Sequence, residues 1–394
     1  MLNRVGIFCL YDKNEKLTKS VKNMLCALKE QVNQLVVVIN GKVEPIEVIE
    51  KISDLVITKK NEGYDMGAYK EAFQHPIVKE YLEEAGELVL CNSSFLLPAI
   101  SFEELFDVMT KRNVDFWGIT SVKHSWVEHI QSYFLVYNKK ILAEGKLYEF
   151  FDKYVDEHTT DYLEVCGVFE NALFHYLMKN GYTYDAFVNP IRYSNYAAAY
   201  ESVAYDGVPS VKKKIFTDAF FSETAIKNIF KVLYEKDNSS IEELLIEAEL
   251  NQLDIKEKDI KKHKLVELKN EPLSCEVFVL NQLTAFIEQS KKLYVYGFTD
   301  RVKSFFWSNI YANEDVKFKG FVVSDGQNIS ESSYGGYKVY HFSETEKDAS
   351  FLVIMGRKNT EIVKKYFPES AQVMCLQEVW DNARQDYERK RNDE

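Results

Sequence analysis

No stretch of this chain approaches the ~20 consecutive apolar residues that span a bilayer, and its first residues, MLNRVGIFCLYDK, lack the charged, apolar and cleavage regions of a secretory signal. A cytoplasmic location is therefore expected. Positive charge is also in short supply. Against 61 Asp and Glu there are 49 Lys and Arg, a net charge of −12, which argues against broad binding to nucleic acid or anionic lipid, since both need cationic surface. Paired cysteines are missing as well: Cys9, Cys26, Cys91, Cys166, Cys275 and Cys375 show no CxxC spacing, and reduced, mostly buried thiols are expected. Internal repeats and low-complexity segments are absent.

Aromatic residues are plentiful, with 25 Tyr and 26 Phe. Such side chains fill cores and also stack on planar or sugar-like ligands. A length of 394 residues suggests two or three domains at roughly 150 residues each.

Residues 4 to 58 alternate short apolar strands (RVGIFCLY, QLVVVIN, DLVIT) with helical patterns (LTKSVKNMLCALKEQ, PIEVIEKI). That alternation predicts an α/β fold with a parallel sheet, whose ligands collect at the carboxyl ends of the strands. Tyr11, Asp12, Asn40 and the loop opening at Lys60 are thereby expected on one rim. Further on, ELVLCNSSFLL, VDFWGITS and HIQSYFLVYNKKIL read as strands, SFEELFDVMTKR reads as a helix with a Ser101/Glu104 capping box, and VFENALFHYLMKNGY reads as a helix stopped by Gly181. Residues 1–221 read as one domain. Residues 222–275 form a Lys/Glu-rich helical connector, with Ser240 and Glu243 as another capping box. Residues 276–394 read as a Rossmann-like α/β domain ending in a charged, frayed tail, DNARQDYERKRNDE.

The loop KNEGYDMGAY is the most informative stretch. Gly63 and Gly67 let backbone N–H groups approach a ligand closely ahead of a helix N-terminus, which suits a phosphate. Asn61 and Asp65 suit hydrogen bonds to a sugar or nucleobase. A plain strand-to-helix turn capped by Asp65 is the alternative.

In order along the chain, NEGYDMGAY, LVLCNSSFLLP, DFWGITS, HIQSYFLVYNKKIL, VFENALFHYLMKNGY and GVPSVKKKIF resemble successive blocks of the rhamnan synthesis protein F family, over roughly residues 3 to 220. The resemblance implies a GT-A-like nucleotide-sugar-binding domain and an inverting glycosyltransferase of polysaccharide assembly. Its donor would be a nucleotide-sugar such as TDP-rhamnose, and its acceptor a growing glycan or a lipid-linked glycan. A lipid-linked acceptor would bring the protein transiently to the inner face of the cell membrane. By position, Tyr11, Asn40, Asn61, Gly63, Asp65, Gly67, Tyr69, Asn92 and Ser93 would line the donor pocket.

Transfer with inversion needs a base for the acceptor hydroxyl and positive charge for the departing diphosphate. Glu170 is the expected base, in the spacing that related enzymes show ahead of a Gly-Tyr pair, here Gly181-Tyr182. The family's aspartate after LVLC is replaced by Ser93, a weak cation ligand. Charge neutralisation is thus left open between Mg²⁺ or Mn²⁺ held by another carboxylate and the lysines Lys212, Lys213 and Lys214. His129, Gln131 and Ser132 are assigned to substrate contact, with His129 and Gln131 on one face of a strand. Trp117 and Trp126 suit either core packing or a sugar ring. In the C-terminal region Gly297-Phe298-Thr299-Asp300-Arg301 lacks the glycines of a dinucleotide fingerprint, although Asp325 lies near the place of a ribose partner. A packing, oligomerisation or substrate-presenting role is expected there.

Overall fold

The computed structural model describes residues 3–124, 127–189, 210–217, 222–236, 241–266 and 273–393. Trp126 and Ser240 lie outside the described residues. The chain divides into two compact units, one made of Met1–Val122, His129–Thr160 and Leu177–Asn270, the other of Lys123–Glu128, Asp161–Tyr176 and Glu271–Glu394.

The first unit is built on β1 (Arg4–Leu10), β2 (Gln34–Asn40), β3 (Leu55–Lys59) and β4 (Glu87–Asn92), joined by β6 (Phe116–His124, up to Val122 in this unit), β7 (Val127–Ile130, from His129 in this unit), β8 (Phe134–Asn138) and β9 (Tyr184–Val188). The order is β3-β2-β1-β4-β8-β6-β7, with β9 pairing β6. Strands β1 to β4 run parallel, whereas β8 runs antiparallel to both β4 and β6. The sheet is therefore mixed. Runs such as LVVVI are apolar at successive positions because helices and loops cover both faces of the parallel part.

Helix α1 (Lys19–Lys29) starts where Thr18 accepts from the Val21 amide, and it buries Val21, Met24, Leu25 and Leu28, the stripe that a 3.6-residue period requires. Short α2 (Ile46–Ile52) follows β2, and α3 (Tyr64–Gln74) follows β3. The helix Phe102–Thr110 carries the expected Ser101/Glu104 capping box. Two elements differ from their sequence reading. HIQSYFLVYNKKIL is not one strand: the chain turns at Gln131–Tyr133 between β7 and β8, and a helix begins at Lys139 under an Asn138 cap. The stretch Cys166–Ala172 is wound as a π-helix before an ordinary helix takes over at Leu173.

Strand β5 (Phe95–Leu96) pairs antiparallel with β10 (Val211–Lys212). Around them the helices Glu223–Lys236, Glu242–Leu250 and Glu257–Lys262 bury Ile226, Phe230, Leu233, Leu244 and Ile260 against Leu96, Val188 and Val211. Most of their Lys and Glu residues lie outside an apolar seam, while Glu247 is buried and paired with Lys213, which is how a charge-rich sequence still packs.

The second unit is centred on a sheet of β11 (Leu293–Tyr296), β12 (Phe318–Val323), β13 (Ser333–Tyr334), β14 (Tyr337–His341), β15 (Ser350–Val353) and β16 (Gln372–Cys375), in the order β13-β14-β12-β11-β15-β16. All pairings are parallel except the β13–β14 hairpin. The charged end of the chain is not frayed. Leu376–Asp393 is a helix whose first turns bury Leu376, Trp380 and Ala383, while 385–392 stay exposed, and the Cys275 thiol of helix Leu273–Gln289 meets the Ala383 carbonyl. Its charge count concealed that stripe.

Candidate functional site

The carboxyl ends of β1, β2 and β4 and the start of α3 meet at one rim of the first unit. Asn40, the last residue of β2, is buried; its Nδ2 donates to the Tyr64 carbonyl at 3.0 Å, and its Oδ1 has no partner among the described residues. Asp65, in the first turn of α3, accepts from Asn92 Nδ2 at 2.7 Å and from the Met66 amide at 3.0 Å. An acidic group there also complements the helix dipole. Asn92 closes its other side by accepting from the Ser94 amide at 3.0 Å. Ser93 Oγ donates to the Tyr11 carbonyl at 3.1 Å and accepts from the Tyr11 amide at 3.3 Å, tying the ends of β1 and β4 together. Tyr11 itself stands half exposed.

Lys212 lies on β10 opposite Phe95 of β5, the strand that directly follows Asn92, Ser93 and Ser94. Its ammonium lies 5.3 Å from the centre of the Tyr133 ring, and the Tyr133 carbonyl accepts from the Asn92 amide at 3.1 Å. Tyr11, Asn40, Asp65, Asn92 and Ser93 are thus brought together at the rim, and Lys212 is placed beside it on the Tyr133 ring. Lys213 is not available in the same way: it pairs with buried Glu247 at 3.0 Å and donates to Ser20 at 3.3 Å.

The two loop glycines have a different role from the one expected. Gly63, at φ +70°, donates its amide to the Thr159 carbonyl at 2.9 Å, and a Cβ on it would run into the Glu157 carbonyl oxygen. The Gly67 amide closes on Gly63, and a Cβ there would sit 2.9 Å from the same Glu157 oxygen. Both amides are engaged and both bare faces meet the chain's own backbone, so no phosphate is cradled by them. Lys70 holds that covering segment, donating to the Val155 carbonyl and pairing with Glu157, each at 2.7 Å. Contact with Lys70 keeps the Glu157 carboxyl below its usual range. Asn61 lies exposed beside Gly41.

Tyr69 is wholly buried. Burial and the neighbouring Asp65 push its phenol well up, and burial likewise raises the thiols of Cys9 and Cys91 beneath the rim. Tyr69 therefore supports the rim from below and does not line it. All six cysteines are free; Cys9, Cys91, Cys275 and Cys375 are buried, Cys166 is partly so, and Cys26 is exposed. His129 is on β7, but Gln131 and Ser132 occupy the following turn, so the shared strand face does not exist; all three are buried. Trp117 packs against Phe106 and Phe134 in the core. Glu170 is half-buried on the π-helical stretch, which belongs to the second unit, where Gly167 lies against Trp307 and Asn171 donates to Ser308 at 3.2 Å. In that unit Asp325 accepts from the Ser343 amide and hydroxyl, at 2.9 and 2.8 Å.

Residues that sequence reading missed are Lys59, Lys70 and the segment 155–160. Lys59 ends β3; burial pulls its ammonium down, and it donates to the Lys60 and Glu62 carbonyls that shape the loop. His158 meets Glu62 at 2.9 Å across 96 residues of chain, a separation that leaves no local signal. For a divalent ion the rim is poorly equipped. Among the described residues no three His, Cys, Asp or Glu side chains gather as a ligand set; Asp65 is held by an amide and the Ser93 hydroxyl is closed onto Tyr11. These groups do not make the oxygen-rich shell that Mg²⁺ or Mn²⁺ takes.

A family model described as rhamnan synthesis protein F matches residues 35–288, more than half of the chain, and the chain belongs to that family. The match begins at residue 35, later than the 3–220 span read from the sequence, and ends at 288, beyond the three helices that follow β10. No curated protein matches the chain. Among solved structures, a CMP:2-keto-3-deoxy-manno-octonic acid synthetase complexed with CTP is similar at 10% identity and a TM-score of 0.30, over 48% of this chain and 90% of that one. The mannosyltransferase Ktr4p from S. cerevisiae is similar at 8% identity and a TM-score of 0.27, over 38% and 59%. Its complex with GDP gives 9% and 0.27, over 42% and 62%, so the chain spans less than two thirds of that mannosyltransferase. No helix among the described residues is long and apolar enough to cross a membrane.

Proposed function

We propose that this member of the rhamnan synthesis protein F family is a glycosyltransferase. It takes an activated monosaccharide at the rim of the first unit, with TDP-rhamnose as the first donor to test, and passes the sugar to a growing cell-surface glycan, free or lipid-linked. The supporting observation is the polar cluster at that rim, above all the buried Asn40 Oδ1, which accepts no hydrogen bond among the described residues while its amide arm is fixed on Tyr64. Buried acceptors are normally satisfied, so an empty one in a cluster of polar groups suits a ligand that brings an N–H or O–H.

Transfer with inversion breaks the bond between the anomeric carbon and the diphosphate oxygen, and the electron pair leaves on the diphosphate. The acceptor hydroxyl forms the new bond while its proton passes to a base. Family resemblance nominates Glu170 as that base and a GT-A-like arrangement for the donor domain. A second reading, a nucleotide-sugar-binding or scaffolding protein without turnover, is favoured by the closed Ser93 hydroxyl in the family's aspartate place.

One experiment separates these. The purified chain is melted with a panel of nucleotide-sugars and assayed for nucleoside diphosphate release with a glycan acceptor. A donor at 100 times its Kd should add about 2.7 kcal/mol of stability. Stabilisation with turnover supports the transferase, stabilisation without turnover the binding protein, and neither effect with any donor sinks both.

A further inference from the structure

We propose that the rim handles a diphosphate without a divalent cation, with the Lys212 ammonium supplying the positive charge. This rests on the donor-site reading above and adds how the diphosphate is held. Oxyanions brought into a part-buried rim need a compensating charge, and the usual sources are metal ions, arginine and lysine.

Three observations favour lysine. The end of β4 carries no carboxylate: it reads Asn92-Ser93-Ser94, with Asn92 Nδ2 donating to Asp65, Asn92 Oδ1 accepting from the Ser94 amide, and Ser93 Oγ both donating to and accepting from Tyr11. The neighbouring cation Lys213 is neutralised by Glu247. Lys212, by contrast, has no acidic partner among the described residues, and its ammonium rests against the face of Tyr133. That contact keeps the charge in place without neutralising it. Position completes the case. Tyr133 receives the Asn92 amide on its carbonyl and the Lys212 ammonium on its ring, while β10 pairs with the strand directly after Ser94. Ser94 Oγ, buried and without a partner among the described residues, lies between them in the chain. When the glycosidic carbon–oxygen bond breaks and its electron pair moves to the diphosphate, the Lys212 ammonium stabilises the new charge electrostatically.

The test is calorimetric titration of the full chain with TDP, UDP and GDP and the matching monophosphates, in EDTA and in Mn²⁺. Diphosphate binding in EDTA is expected, changed less than about threefold by Mn²⁺. Lys212→Gln should weaken diphosphate binding about tenfold, the worth of one charge-assisted hydrogen bond, and leave monophosphate binding within about twofold. Lys212→Arg should restore most of the difference, which a misfolded variant could not do. Binding that requires Mn²⁺, or equal loss for both nucleotide classes in Lys212→Gln, overturns the lysine proposal alone. Absence of all nucleotide binding overturns it together with the donor-site reading.

Discussion

Asn92 Nδ2 donates to Asp65 Oδ2 at 2.7 Å, fastening the end of β4 to the first turn of α3. The bond crosses from one strand–helix unit to another and aims the carboxylate before any ligand arrives. Orientation of this kind lowers the cost of binding, because the group's freedom is already lost.

Asp65→Ala should therefore weaken nucleotide-sugar binding by about tenfold or more, on the scale of one charged hydrogen bond. Titration calorimetry reads it directly. Unchanged affinity would remove Asp65 from the donor site, whatever the fate of the fold.

Gly63→Ala tests the packing role of the loop. The substitution asks an alanine to hold φ +70° while its Cβ meets the Glu157 carbonyl. A loss of about 2 kcal/mol or more is expected in denaturant unfolding. A near-neutral result would mean that the segment 155–160 does not sit on the loop.

The same clasp has a pH signature. Lys70 keeps the Glu157 carboxyl below its ordinary 4.5, so the pair stabilises the folded state above that pH and loses its contribution as pH falls through the lower folded value. Lys70→Met should cost about 2 kcal/mol at pH 7. The gap between variant and wild type should narrow below pH 4.5; a gap that widens on acidification contradicts the pairing.

Glu170→Gln separates binding from chemistry. If Glu170 is the base, donor affinity should stay within about twofold while kcat falls at least about a hundredfold, the usual scale of a general base. Full turnover in this variant would assign the proton to another group.

Trp380→Ala probes the terminal helix. Trp380 is buried, and removing it should cost about 3 kcal/mol in the second unit. A melting profile indistinguishable from wild type would return the chain end to the status of a solvated tail.

Much of the fold was legible because parallel strands covered on both faces must read as apolar runs. QLVVVIN is β2 to the residue, and Ser101 with Glu104 marks a helix start by chemistry confined to four positions. Legibility failed where a short signal was ambiguous. HIQSYFLVYN is apolar enough for one strand, and only the pairing of β8 between β4 and β6 decides that it turns at Gln131. In the terminal helix, three buried residues among many charges escaped notice because composition averages over faces.

By itself the sequence determined the strand and helix alternation, the rim on which Tyr11, Asn40 and Asp65 stand, and the family, since these follow from local periodicity and from motif order. Tertiary structure alone decided what Gly63 and Gly67 are for, which lysine of Lys212 and Lys213 meets a carboxylate among the described residues, and why Tyr69 cannot touch a ligand. Those answers depend on Glu157, Glu247 and the depth of burial. Contacts between residues far apart in the chain leave no trace in the spacing of either partner.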